Sequence, residues 1–222
     1  LYSSYPLKSY IKVGIDRESI FIANNTVKLN CVSTPSLCKN SILFIGTLYK
    51  QKKLEELIFA YKKAIEKCNL SIPLIIIGDG DERIELEKYV SKLGLKNYVN
   101  FFGNIENHNI LSKYFSKALV CVSPGQAGLS VLTSMANSVP YVTQKNAITG
   151  GEIFNIESGI NGVVYDSSSD LMEILCDISN NKDKYINMGL AARNYYKTSR
   201  SPEKMVDSNL DAISYVLNEK IK

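Results

Sequence analysis

Two glycine-bearing stretches carry the residues best suited to chemistry, and the chemistry they suit is holding an anion. The first is Ser123-Pro124-Gly125-Gln126-Ala127-Gly128-Leu129, which follows the apolar run Ala118-Leu119-Val120-Cys121-Val122. After it, Leu129, Leu132, Met135 and Ala136 recur at the spacing of one helix face, with Ser130, Thr133, Ser134 and Asn137 as a polar stripe beside them. A strand, a glycine loop and a helix start leave unpaired amides at the loop, where a phosphate or pyrophosphate is the natural guest. The same pattern also suits a tight turn that needs glycine and binds nothing. The second stretch is Phe44-Ile45-Gly46-Thr47-Leu48, trailed by Lys50, Lys52 and Lys53. Lysines just past the end of a strand supply point charges to a phosphate, or else form a solvated basic helix start.

Other candidates read more plainly. Asp79-Gly80-Asp81 has the look of a metal site, but it follows one apolar run and opens a helix, where acidic side chains cap free amides. No metal and no cofactor is therefore expected. His108 is the single histidine and sits in the polar run Glu106-Asn107-His108-Asn109, which reads as an exposed loop. Cys31, Cys38, Cys68, Cys121 and Cys176 are odd in number and scattered, so buried free thiols in a reducing cytosol are expected.

The elements that must position these residues alternate as strand and helix from Ser41 almost to the end. Strands are predicted at 41–46, 74–78, 98–103, 118–122, 141–143 and 163–165, and helices at 53–68, 81–93, 109–117, 170–178 and from Pro202 onward. Gly94 is placed to close the second of these helices. The apolar strands do not alternate, as strands covered on two faces require. The expectation is an α/β domain with a Rossmann-like parallel sheet and helices on both faces. The earlier part, through Asn30, reads as a helix, a short strand at 19–23 and a turn. At 222 residues and 45% hydrophobic content the chain can bury a substantial core, and it holds no apolar run of membrane-spanning length. Its net charge of +4 suits an anionic nucleotide or a membrane surface. Nothing points to nucleic acid.

In order, these motifs resemble the C-terminal donor-binding domain of the retaining GT-B glycosyltransferases of group 1, the family that uses nucleotide sugars. Gly128-Leu129, Met135-Ala136 and Ser138-Val139-Pro140-Tyr141-Val142 match its signature, while Gly125 and Thr133 stand where its two glutamates are expected. Lys52 keeps the family's phosphate lysine, Thr47 replaces its arginine, and Lys53 replaces the glycine that follows the lysine. Phe102-Gly103-Asn104-Ile105 sits where the family lays backbone and an apolar side chain against the base. Ile148-Thr149-Gly150-Gly151-Glu152-Ile153 and Gly159-Ile160-Asn161-Gly162-Val163-Val164 resemble later family segments.

The resemblance implies a nucleotide-sugar site made of Gly46, Thr47, Lys52, Asn104, Ile105, Gly125, Gln126, Ala127, Gly128, Leu129 and Thr133. It implies a UDP- or GDP-type sugar donor, a glycan or lipid-linked acceptor, and a cytoplasmic enzyme that can contact the inner face of a membrane. It also implies the division of the chain. Residues 1–30 would end a preceding domain, an expectation the absent initiator methionine supports. Residues 31–40 would be a linker, 41–202 the nucleotide-sugar domain, and 203–222 a helix packing back toward the preceding domain. Loss of both glutamates keeps a non-catalytic partner subunit in view, and a nucleotide-sugar epimerase of similar shape is a third reading.

Overall fold

The computed structural model describes residues 1–28 and 39–219. Six strands are present among them: β1 (Ser41–Ile45), β2 (Leu74–Ile77), β3 (Val99–Phe101), β4 (Ala118–Val122), β5 (Tyr141–Gln144) and β6 (Gly162–Tyr165). All pairings are parallel, in the order β3-β2-β1-β4-β5-β6. The helices are α1 (Leu7–Lys12), α2 (Leu54–Cys68), α3 (Arg83–Lys92), α4 (His108–Lys117), α5 (Ser130–Ala136), α6 (Ser168–Asn180), α7 (Lys182–Ser199) and α8 (Pro202–Glu219).

Helices cover both faces of the sheet, as predicted. On one face Ile42, Phe44, Leu74, Ile76 and Val120 meet α2, α3 and α6. On the other, Leu43, Ile77, Ala118 and Cys121 meet α4, α5 and the later part of α7. Local chemistry fixes the ends. The Asn107 carboxamide accepts from the amides of Asn109 and Ile110 to open α4, and Ser167 and Asp170 form a reciprocal capping box at α6. Gly94, at φ +70°, closes α3 as expected.

Three expectations change. The run 19–23 forms no strand: a 3-10 turn at Arg17–Ser19 leads into extended chain outside the sheet. Helix α7 goes unpredicted, because a polar, glycine-containing sequence gives it a weak apolar stripe. Two members of the polar stripe, Ser134 and Asn137, are buried, with Ser134 donating to Val139 O and Asn137 to Thr133 O at the end of α5. Finally, Cys68 of α2 and Cys176 of α6 form a disulfide, with Cα atoms 5.8 Å apart. The free-thiol reading holds for buried Cys121 alone among the described cysteines, and cysteine usage no longer argues for a compartment. Cys31, Cys38 and nearly all of the expected linker lie outside the described residues.

No helix of the described residues is long and apolar enough to cross a membrane. The apolar stripe of α8 is under-buried: Val206, Leu210, Ile213, Val216 and Leu217 are each half exposed or more.

Candidate functional site

Strand order reverses between β1 and β4: β1-β2-β3 run out to one side and β4-β5-β6 to the other. In open parallel sheets the crevice beyond the carboxyl ends at such a point is where ligands settle. Both glycine stretches open there. The Gly125 amide donates to Lys52 O at 3.1 Å, and a Cβ on Gly125 would lie 1.9 Å from Gln51 O. The short turn Lys50–Lys52 therefore rests directly on Gly125, and no side chain fits between them.

The Lys52 side chain is buried, and no carboxylate pairs with it among the described residues. Its Nζ lies 5.5 Å from the centroid of the Tyr49 ring, and 3.3 Å from where a Cβ on Gly46 would stand. Burial holds its pKa below that of an ordinary lysine. Lys53, which replaces the family's glycine, sits in the left-handed region at φ +54°, a conformation glycine adopts without cost. Its ammonium donates to Gln144 Oε1 at 2.9 Å, and Gln144 Nε2 reaches Asp166 O at 3.2 Å.

Beside Lys52 a cavity of about 290 Å³ is lined by Ile45, Gly46, Thr47, Ile77, Gly78, Asp79, Asn104 and Ile105. It joins four predicted site residues: Gly46, Thr47, Asn104 and Ile105. Gly78 allows the close approach that forms its floor, since a Cβ there would stand 1.9 Å from Gly46 O. Asp79 is occupied structurally: its Oδ1 accepts from the Gly80 amide at 2.8 Å and its Oδ2 lies 3.0 Å from Arg83 Nη1. That amide and the guanidinium hold its pKa below the usual carboxylate value.

Along the glycine loop the predicted residues divide. The amides of Gly128, Leu129 and Ser130 make no hydrogen bond among the described residues, and Leu129 is half exposed. Helix α5 has only seven residues, so its dipole adds less than the pattern implied. Gly125 and Ala127 are committed elsewhere. The Gly125 amide is taken by Lys52 O, and Ala127 is wholly buried with its amide on Ile148 O at 2.9 Å. Thr133 turns its hydroxyl back to Leu129 O at 3.1 Å. His108 is exposed at the start of α4. Tyr49, Gly78 and Gln144 were missed. Only Gly78 gave a signal, as a glycine ending an apolar strand in the way Gly46 does.

A doubly wound parallel sheet with its crevice at the switch point is the architecture of a nucleotide-binding domain. Solved structures share it: S. aureus TarM, crystallised with UDP among other ligands, matches with a TM-score of 0.79 at 21% identity over 96% of this chain and 42% of that one. Anabaena HepE, in complex with UDP and glucose, matches at 0.75 and 20% over 98% and 62%. Residues 33–195 match the model for glycosyl transferases group 1, and the chain belongs to that family. An uncharacterized glycosyltransferase of Methanocaldococcus jannaschii is 36% identical over 58% of this chain and 33% of its own length. The alpha-monoglucosyldiacylglycerol synthase of Acholeplasma laidlawii is 23% identical over 64% and 35%. The chain thus spans about a third of the curated relatives it matches. Motif order and partial coverage agree with the C-terminal half of a GT-B glycosyltransferase.

Proposed function

We propose that the chain is the donor-binding half of a retaining glycosyltransferase. It holds a UDP- or GDP-type sugar whose glycosyl group passes to a glycan or lipid-linked acceptor at or near a membrane surface. The observation that carries this reading is the buried Lys52 ammonium, set without a carboxylate partner beside the crevice at the strand switch point. A buried cation without a counter-ion is costly, and an anionic ligand offsets that cost. The nucleotide base would enter the cavity between Gly46 and Asn104–Ile105. The diphosphate would lie across Lys52 and the free amides at Gly128–Ser130, where it leaves as the glycosidic bond breaks. Donors fixed in advance at that point stabilise the charge that develops on the leaving group.

Residues facing the anomeric carbon and the acceptor would come from a preceding domain. The relatives are about three times as long as the matched segment, and the exposed stripe of α8 gives such a domain a surface to pack on. Calorimetry with UDP and GDP tests the site: binding is expected, and Lys52→Ala weakens it by about 1–3 kcal/mol, the worth of a charged contact. Equal affinity of the two proteins removes Lys52 from the site. The same 222 residues, given a nucleotide sugar and a lipid-linked acceptor, should bind without transfer, since aligning both reactants supplies on the order of 7–11 kcal/mol that one half lacks. Steady turnover by this chain alone overturns the two-domain reading.

A further inference from the structure

At Gly125 the position of the family's first glutamate is closed to any side chain, because the Gln51 backbone fills the space. The polar group nearest the crevice is instead carried by the next residue. Gln126 has a rigid backbone: its carbonyl accepts from Ser123 Oγ at 2.9 Å and from Tyr141 Oη at 3.2 Å, and the loop on either side pairs with Ile148. Its side chain is oriented as well. The Tyr49 hydroxyl donates to Gln126 Oε1 across the two loops. That leaves the carboxamide nitrogen, which has no acceptor among the described residues and lies 4.0 Å from where a Cβ on Gly128 would stand. The face of the same Tyr49 ring carries the Lys52 ammonium.

We propose that Gln126 binds the diphosphate of the donor together with Lys52, and that Tyr49 is its positioning residue. The assignment rests on the nucleotide-sugar reading above. Its physical basis is that the free groups are all donors: an ammonium without a counter-ion and a carboxamide NH2 whose oxygen is already used. Such a set complements a ligand that only accepts and carries negative charge, which describes a diphosphate. A tyrosine that occupies the carboxamide oxygen keeps the NH2 end turned toward the crevice, so no binding energy is lost in reorienting it.

The test compares the wild type with Tyr49→Phe, Gln126→Leu and Gln126→Glu by calorimetry, against UDP, GDP, uridine and guanosine, with thermal melts to confirm folding. Expected is about a threefold to tenfold loss of diphosphate affinity for Tyr49→Phe, a larger loss for Gln126→Leu, and no measurable diphosphate binding for Gln126→Glu, whose carboxylate repels the ligand. Nucleoside affinity should stay at the wild-type level throughout, which a general disturbance of the loop would not allow. In the Gln126→Leu background, Tyr49→Phe should add nothing, because its effect runs through Gln126. Unchanged diphosphate affinity in Tyr49→Phe and Gln126→Glu, with a wild type that does bind, overturns this assignment alone. A wild type that binds neither diphosphate overturns the nucleotide-sugar reading and this assignment with it.

Discussion

The two faces of the sheet differ in how closely backbones approach across them. The face under α2, α3 and α6 is packed with large aliphatic and aromatic side chains, among them Phe44, Leu57, Ile58, Tyr61, Leu74 and Leu175, and the Cys68–Cys176 disulfide ties α2 to α6 across it. The face under α5 and α7 also buries large side chains such as Phe115, Met135 and Tyr141, but it adds a set of small ones, Ala118, Ala127, Ala136, Ala147 and Ala192, which bring backbones close together. There Gly189 of α7 passes so near the α5–β5 turn that a Cβ would lie 2.2 Å from Ser138 O. Polar groups complete that contact: Lys39 Nζ donates to Ser138 O at 2.7 Å and Arg193 to Ala136 O at 3.2 Å. The glycine loop of the candidate site is anchored on the second face. Both faces bury volume, and the second adds close backbone approach where the glycine loop is anchored.

Removing volume should therefore cost stability on the first face and leave the site alone. Leu57 is fully buried, and Leu57→Ala is expected to lower unfolding free energy by about 2–5 kcal/mol while nucleotide affinity of the folded protein stays unchanged. Denaturant unfolding and calorimetry measure the two quantities separately. A matching loss of affinity would mean that the faces are not independent.

Adding volume should do the reverse at the close contacts. Gly125→Ala places a methyl against Gln51 O and forces apart the loops that carry Lys52 and Gln126. Overpacking of this kind costs about 1–3 kcal/mol of stability, and here nucleotide affinity should fall as well. Full affinity in Gly125→Ala would show that the loop contact does not shape the site.

The second face also has a buried cation, and this gives it a pH signature. Burial pushes the Lys39 ammonium from an ordinary 10.5 down to about 8. Between those values the unfolded chain holds a proton that the folded chain has released, so stability rises with pH there, by up to about 1.4 kcal/mol per pH unit. Burial pushes the Cys121 thiol from an ordinary 9 up to about 12, so it keeps its proton when folded and opposes this rise from about pH 9 upward. Buried tyrosines such as Tyr61 and Tyr141, raised above the ordinary 10, oppose it from about pH 10. The window is therefore roughly pH 8–9, and unfolding measured across it should show a slope in the wild type that Lys39→Met reduces, the remainder belonging to Lys52, whose pKa burial also lowers.

These contrasts explain what could be read from residue types alone. Strands such as Leu74-Ile75-Ile76-Ile77 are legible because an apolar run ended by glycine allows few other structures, and parallel pairing follows from the helices between them. Lys52, Gly46 and Asn104–Ile105 were legible as neighbours because strand ends at one sheet edge must meet. Contacts between distant segments were not legible. The Cys68–Cys176 pair depends on how α2 lies against α6, and the Tyr49–Gln126 contact on how two loops close. Helix α7 escaped because its buried positions, Tyr185, Met188, Gly189, Ala192 and Tyr196, include two small residues chosen for close approach, which weakens any apolar stripe. Gly125 and Gly128 look equivalent in sequence, yet only one is packed against another backbone.

That last pair gives the smallest expected effect and the sharpest check on the comparison. Gly128 does not occupy the left-handed region, and a Cβ there would meet only Gln126 Nε2, at 4.0 Å, an ordinary van der Waals separation. An alanine therefore fits without moving either loop, and Gly128→Ala should change stability by no more than about 0.5 kcal/mol. The added methyl lies beside the Gln126 NH2 without displacing it, so diphosphate affinity should fall less than in Lys52→Ala. Two residues, Gln126 and Ala127, would then separate a glycine required by packing from one that keeps the crevice open. If Gly128→Ala proved as destabilising as Gly125→Ala, the loop would be strained along its whole length. Close approach to Gln51 would then no longer account for the difference between the two positions.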